Sequence, residues 1–461
     1  MLRACESFAG GFPWREGAGT IPDMDELFDL PPTEAGPRER DERGRPRLQR
    51  PRREQITLRP SDLESLLPPE HRARLVWGFV EGLDLSAFHA RIRATEGHSG
   101  RPPIDPAILV SLWLYATLEG MGSARALDRL CDEHDAYRWI CGGVGVNYHT
   151  LADFRVAAAE LLDELLAQSV AALLTTGEVT LARVAHDGVR VRASAGAGSY
   201  RGRRGLGRAL ADATAQVAAL RSELDDDPAA TSRRTAAARE RAARERESRV
   251  RRALDVLPDL EATKRRSMRP DRPVSEARAS TTDPEARVMR MGDGGYRPAY
   301  NGQLTTDVAS GLVCGVEVTN QGTDAGRLGP AIDRLERRFG RRPAEMLADG
   351  GYVSLAEIET LEACGTAVYA PPPARPRRDP RDRRARGSGL DAWRARMATA
   401  EGQLIYRLRA ATAEWVNALA RNRGLQQYRV RGLEKVRSVL LWFALAHNLD
   451  RTLALRAGAT G

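Results

Sequence analysis

The chain has 461 residues, enough for two to four structural units with a sizeable core. Lys and Arg number 71 against 62 Asp and Glu, a net charge of +9 with a pI of about 9.6. That excess points to a polyanionic partner, nucleic acid first. Cys5, Cys131, Cys141, Cys314 and Cys364 are scattered with no CxxC pair, which argues against a zinc site or a disulfide scaffold and fits a reducing cytoplasm. No apolar run reaches membrane-spanning length, and Met1 to Arg15 lacks the basic-then-apolar pattern of a secretory signal.

Residues 1–55 read as a disordered Arg-rich arm, because Pro37 to Glu54 is almost entirely charge and proline and cannot bury enough apolar area to fold. Residues 56–175 read as a helical domain. Asp105-Pro106 is a cap followed by proline at the first helical position, and apolar residues run on from Ala107 to Glu119. Ser123 is placed to cap a second helix through Leu130. Thr150 and Asp153 form a variant capping box ahead of a long apolar-periodic run. Short helices joined by tight Gly turns are the build of a helix-turn-helix DNA-binding domain.

The pattern turns to strands within residues 176–455. Val179 to Ala185 is rich in β-formers, and Val189 and Val191 alternate after Asp187-Gly188. An insertion over 200–268 follows. In it Leu206, Leu210, Ala213, Val217, Leu220 and Leu224 form a helical seam that breaks at Asp225-Asp226-Asp227-Pro228, and an Arg/Glu-rich helix continues to about 265. A projecting helical hairpin is expected there. Gly302 to Val308 and Leu312 to Val318 pattern as a hairpin around Ser310-Gly311. Met346 to Ala348 and Ala367 to Ala370 are short strand candidates, with helical stretches at about 324–339 and 354–363. Residues 371–388 read as a mobile basic loop, and about 389–455 as helix, with Val439 to Leu449 apolar enough to be buried.

Strand, insertion, two-stranded hairpin, helix, strand, helix, strand, helix is, apart from the insertion, the order of a ribonuclease-H-like fold. The expected class is thus mixed α/β. In that fold the first and fourth strands are neighbours, and the helix after the fifth crosses the sheet. Asp187 at the end of the first strand, Asp349 after the fourth and Glu414 in the late helix then come together. Carboxylates suit phosphodiester chemistry, since Mg²⁺ prefers hard oxygen ligands and two such ions stabilise both the attacking and leaving oxygens. At a spacing of seven, Arg407, Glu414 and Arg421 fall on one face of a straight helix, with Ala410 and Asn417 between.

At these residues the sequence resembles the bacterial insertion-sequence transposases of the DDE class, in the branch with a helical N-terminal domain. The resemblance runs from about 55 to 455. It is carried by Arg101-Pro102-Pro103-Ile104-Asp105-Pro106, Tyr137-Arg138-Trp139, His149-Thr150-Leu151 and Phe154-Arg155. It continues through Asp187-Gly188, Thr282-Asp283-Pro284-Glu285-Ala286, Tyr300-Asn301-Gly302-Gln303 with Asp307, Thr319-Asn320 with Asp324, and Ala348-Asp349-Gly350-Gly351-Tyr352. It closes with Tyr406, Arg409 and Glu414, then Arg431-Gly432-Leu433-Glu434-Lys435-Val436 and His447-Asn448-Leu449.

The resemblance implies Asp187, Asp349 and Glu414 as the catalytic, metal-binding triad for Mg²⁺ (or Mn²⁺). It makes Tyr406 and Arg409 the family's tyrosine and arginine ahead of the glutamate; with Arg407 and Arg421 of the helix face they are the DNA-binding candidates. It also implies terminal inverted repeats and target DNA as partners, a homo-oligomer on DNA, and a cytoplasmic, nucleoid-associated location. Two departures stand out. Trp415-Val416-Asn417-Ala418 replaces an apolar-Phe-Gly turn, and Arg421 replaces a lysine. The competing readings are a transposase-derived DNA-binding protein without catalysis and a structure-selective nuclease.

Overall fold

The computed structural model describes residues 62–94, 102–226, 230–266, 276–373 and 387–459. The expected arm at 1–55 and most of the expected basic loop at 371–388 lie outside them.

Seven helices occupy the described part of 62–175: α1 (Arg72–Glu81), α2 (Ser86–His89), α3 (Pro106–Leu118), α4 (Ala124–Glu133), α5 (Asp135–Cys141), α6 (Tyr148–Val156) and α7 (Ala159–Thr175). The Asp105 carboxylate accepts from the Ala107 N–H, and Pro106 takes the first position, as its missing N–H allows. Helix α3 is buried on nearly every side and forms the axis of this region. Ser123 caps α4 at the Ala126 N–H. The capping box expected at Thr150 is not formed. Asn147 caps α6 by accepting from Thr150 N–H at 3.0 Å, and the apolar run after it is broken at 157–158 into two helices. An Asn one turn upstream offers a stronger capping acceptor than Thr.

The sheet has strands β1 (Arg183–Arg192), β4 (Arg287–Arg290), β5 (Tyr296–Asp307), β6 (Val313–Thr319), β7 (Glu345–Leu347) and β8 (Ala367–Tyr369). The short strands β2 (Tyr200–Arg201) and β3 (Ala279–Ser280) pair apart from it. Its order is β4-β5-β1-β7-β8, with β6 also on β5. The β4/β5, β5/β1 and β5/β6 pairs are antiparallel, and β1, β7 and β8 run parallel. Helices α11 (Leu328–Phe339) and α12 (Leu355–Ala363) connect the later strands.

Asp187-Gly188 was expected to end the first strand. Instead β1 passes straight through, with Asp187 opposite Leu304 and Gly188 opposite Gln303. An unbroken partner strand satisfies the backbone on both sides of Gly188, so nothing forces a turn. The β4/β5 pairing over 296–299 has no counterpart in the sequence reading.

The insertion holds α8 (Arg203–Asp226), α9 (Ala230–Asp255) and α10 (Leu257–Arg266), with Leu206, Ala213 and Val217 of the seam buried. After β8 come α13 (Ser388–Ala398), α14 (Ala400–Arg409), α15 (Trp415–Asn422) and α16 (Leu433–Ala459).

Helix α16 joins the parts. Its Leu440, Trp442, Phe443 and Leu445 lie in one buried core with Trp113, Leu162 and Leu166 of the N-terminal helices and Val189, Val191 and Tyr300 of the sheet. It approaches β5 so closely that a Cβ at Gly302 would stand 2.7 Å from the Leu440 side chain, which is why that position carries none. A second core on the other face gathers α11, α12, β7, β8 and Trp393 of α13.

Several motifs of the resemblance hold this frame. Asn448 grips Val313 through both backbone groups at 2.8 Å, closing the free edge of β6. Asp307 accepts from Leu181 N–H and from Ser310, fixing the β5–β6 turn. Glu285 accepts from Leu433 N–H at the start of α16, and Tyr300 donates to Asp283 at 2.7 Å.

Candidate active site

Asp187 sits mid-strand on β1, on the alternation of Val189 and Val191. Parallel pairing sets Ala185 opposite Leu347, so Asp187 and Asp349 lie the same two residues further along adjacent chains. Asp349 is just past the end of β7, where its carboxylate accepts from Gly351 N–H at 2.7 Å and shapes the turn.

Glu414 enters from the helix that crosses the sheet, and a local distortion brings it in. Between α14 and α15, Ala410–Glu414 forms a π turn. A π turn closes i→i+5 rather than i→i+4, so residues five apart come onto one side. Arg409 and Glu414 are five apart. The Arg409 guanidinium reaches Asp187 Oδ2 at 3.2 Å and pairs closely with Glu414 through its other terminal nitrogen. It also lies over the Tyr406 ring, 5.7 Å from its centre.

The same turn corrects the expected stripe. The spacing of seven assumes a straight helix, and Arg407 and Glu414 are separated by the π segment. Asn417, expected beside them, is 4% exposed. Arg409, not Arg407, joins the acids. From Glu414 to Arg421 the helix is regular and both side chains are exposed.

Burial drives the Asp187 carboxyl up to about 6, Arg409 and the Gly188 N–H pull it back, and Asp349 and Glu414 raise it again as like charges. A carboxyl with a folded pKa above its unfolded value of about 3.8 binds more protons folded than unfolded between the two values. Stability therefore falls as pH rises from about 4 to about 6 and levels off above, by on the order of 3 kcal/mol for this group. In chelator, Asp187→Asn should abolish that fall. Melting curves at the two ends of the range check this, and an Asn variant that loses the same stability as wild type would overturn it.

Among the described residues, no group of three or more His, Cys, Asp or Glu is drawn in tightly enough to hold a metal ion. The donor chemistry nevertheless fits a hard divalent cation. Asp187 and Glu414 share the Arg409 guanidinium, and oxygen-only carboxylate ligands are what Mg²⁺ takes.

Asn301, Gln303, Asp324 and Tyr352, quoted above only as motifs of the resemblance, form with Arg190 and His186 a second cluster on the opposite side of β1, which the sequence reading did not assemble. Asp324 accepts from Asn301 at 2.6 Å, Gln303 at 2.9 Å and Arg190 at 3.2 Å. Tyr352 donates to Gln303 Oε1, and His186, held neutral by burial, shares a hydrogen bond with Thr305 at 2.8 Å. A Cβ at Gly188 would stand 2.8 Å from Asn301 Oδ1, so only glycine lets this network pass beneath the strand. The network ties β1, β5 and the turn after Asp349 together, so it positions the two aspartates without touching them. Two amides at i and i+2 in a strand were the signal, because period two puts both on one face.

The sheet order and the helix crossing it are consistent with a ribonuclease-H-like core, with Asp187, Asp349 and Glu414 as its candidate acids. Family comparison agrees at both ends of the chain. Residues 61–157 match the family described as Transposase domain (DUF772), and residues 377–453 match the Transposase DDE domain. Together the two matches support an insertion-sequence DDE transposase. Glu414 lies inside the second match, and Asp187 and Asp349 lie between the two. No curated protein and no solved structure matches the chain. No helix among the described residues is long and apolar enough to cross a membrane.

Proposed function

We propose that the protein cleaves DNA at the ends of an insertion sequence and transfers the cut strand to a target, with Asp187, Asp349 and Glu414 as its metal ligands. One observation carries this: acids from β1 and the crossing helix meet on one guanidinium, beside the chain that bears Asp349. Bound Mg²⁺ or Mn²⁺ would supply Lewis acidity toward the phosphodiester and its attacking oxygen. The chain's own residues set the geometry. Asp187 and Asp349 are held in register by the sheet, and the π turn aims Glu414. In this reading Tyr406, Arg407, Arg409 and Arg421 serve DNA phosphate.

In this reading residues 56–175 recognise the element's terminal repeats, residues 176–455 perform the chemistry, and the helical hairpin within 200–268 projects from that domain. Joining two ends calls for a homo-oligomer assembled on DNA in the nucleoid. The test is Mg²⁺-dependent cleavage of a labelled duplex carrying the element's own end. Cleavage at the end and none on a scrambled duplex supports the reading. End binding without cleavage would leave a transposase-derived DNA-binding protein.

Arg421 refines this. If it clamps a phosphate near Glu414, Arg421→Ala lowers cleavage and end affinity together, by the 1.5–3 kcal/mol of a charged hydrogen bond, roughly ten- to more than a hundredfold. Arg421→Lys recovers part of that. An unchanged cleavage rate in Arg421→Ala sinks the clamp, since an exposed ion pair contributes under about 1 kcal/mol to stability and nothing to cleavage.

A further inference from the structure

Two adjoining depressions meet where α6, the chain between α15 and α16, and α9 of the inserted hairpin come together, and both are lined by Arg155 and Arg429. Arg125 lies in the first, and Arg249, Arg252 and Arg431 lie in the second. The acids facing this set are Asp153 and Glu245, and Glu245 is already paired with Arg249 at 3.7 Å. Arg155 is 8% exposed, donates to Gly122 O at 2.6 Å and stacks over Trp113, but among the described residues its Nε has no partner, nor has the Nε of Arg249.

Crowding like charges has a cost. Burial and then the neighbouring Arg429 bring the Arg155 guanidinium down to about 10, and Arg249 is lowered by burial and then Arg431. Such a cluster is stable only because something outside the chain relieves it or because the rest of the fold forces it. Arg125, Arg252 and Arg429 are exposed on three separate elements, with Arg125 over the Tyr148 ring, 5.2 Å from its centre.

We infer that this cleft is a second contact surface for double-stranded DNA, gripping the phosphate backbone at a distance from the acids. The inference rests on the reading under Proposed function and adds where the duplex is held. Strand β1 links the two places. Asp187 lies on it, and at its far end Arg192 pairs with Gln427 while Tyr428 N–H donates to Arg192 O at 2.8 Å, in the chain that carries Arg429. Five strand residues from Asp187 to Arg192 span about 16 Å, the length of roughly five nucleotides of duplex. Lateral spread over three elements fits an extended polyanion rather than a single phosphate ion. The inserted hairpin thereby gains a role, with α9 forming one wall.

The test uses the full chain carrying Arg125→Gln, Arg252→Gln and Arg429→Gln together, in chelator so that no cleavage occurs. Affinity for a labelled duplex is followed by anisotropy over about 50 to 200 mM salt. Each lost phosphate contact should reduce the slope of log affinity against log salt by about 0.9, so by up to about 2.7 for the triple variant. A control variant removes the exposed Arg337 and Arg341, on α11 and just after it, outside the cleft. An unchanged slope in the triple variant overturns the inference. So does a fall in the control that is equal per charge removed, which would mean that net charge alone matters, or a fall seen on duplex RNA but not on DNA. If the triple variant melts early, Arg125→Gln and Arg429→Gln singly should each still lower the slope by about 0.9. Because binding is read without chemistry, an inert triad leaves this measurement intact, and a failed cleft leaves cleavage by the acids to be judged separately.

Discussion

Asp187→Asn, Asp349→Asn and Glu414→Gln should each abolish Mg²⁺-dependent cleavage while leaving end binding in place. Each substitution keeps size and removes charge. Metal ions supply several kcal/mol of transition-state stabilisation, and a loss of about 4 kcal/mol is roughly a thousandfold in rate. The variants should differ in stability. Asp187 is largely buried and raised by that burial, so Asp187→Asn should melt at or above the wild-type temperature near neutral pH. Glu414 is half exposed and pairs with Arg409, so Glu414→Gln should change melting little. Loss of cleavage at undiminished stability separates a chemical role from unfolding. Cleavage at the wild-type rate by any one variant removes that residue from the centre.

Trp442→Ala should lower stability by about 3–5 kcal/mol, as expected for truncating a large, fully buried aromatic. Its indole donates to Arg155 O at 3.1 Å, and its ring lies 6.2 Å from that of Phe154. The helical region and the sheet share this core through α16, so both should lose structure together. Far-ultraviolet and tryptophan signals should move in one transition. Two separated transitions would refute a shared core. For the same reason, DNA recognition by residues 56–175 is better tested in the full chain, since a fragment would expose the face that α16 covers.

Much of this protein is legible from local chemistry. Asp105-Pro106 and Ser123 announce α3 and α4 because a cap is a contact between a side chain and a backbone N–H only two or three residues on. The seam Leu206, Ala213, Val217 announces α8 because period carries burial. The β5–β6 hairpin and the short strand before Asp349 follow from composition and turns. The order of these elements suffices to place three acids in one fold class.

Other features depend on partners far along the chain. The alternation of Val189 and Val191 does not say whether Asp187-Gly188 divides two strands or lies within one. The strand continues because Asn301 and Gln303, more than a hundred residues on, pair with it and need the space that Gly188 leaves. The π turn at Ala410–Glu414 cannot be read from a helical period, which assumes the regularity the turn breaks, and it makes Arg409 rather than Arg407 the partner of the acids. The basic cleft gathers residues from 125 to 431 that share no local pattern. Capping and periodicity act between neighbours in sequence and are written in it. Side-chain convergence acts between neighbours in space, which only packing around α16 and the sheet creates.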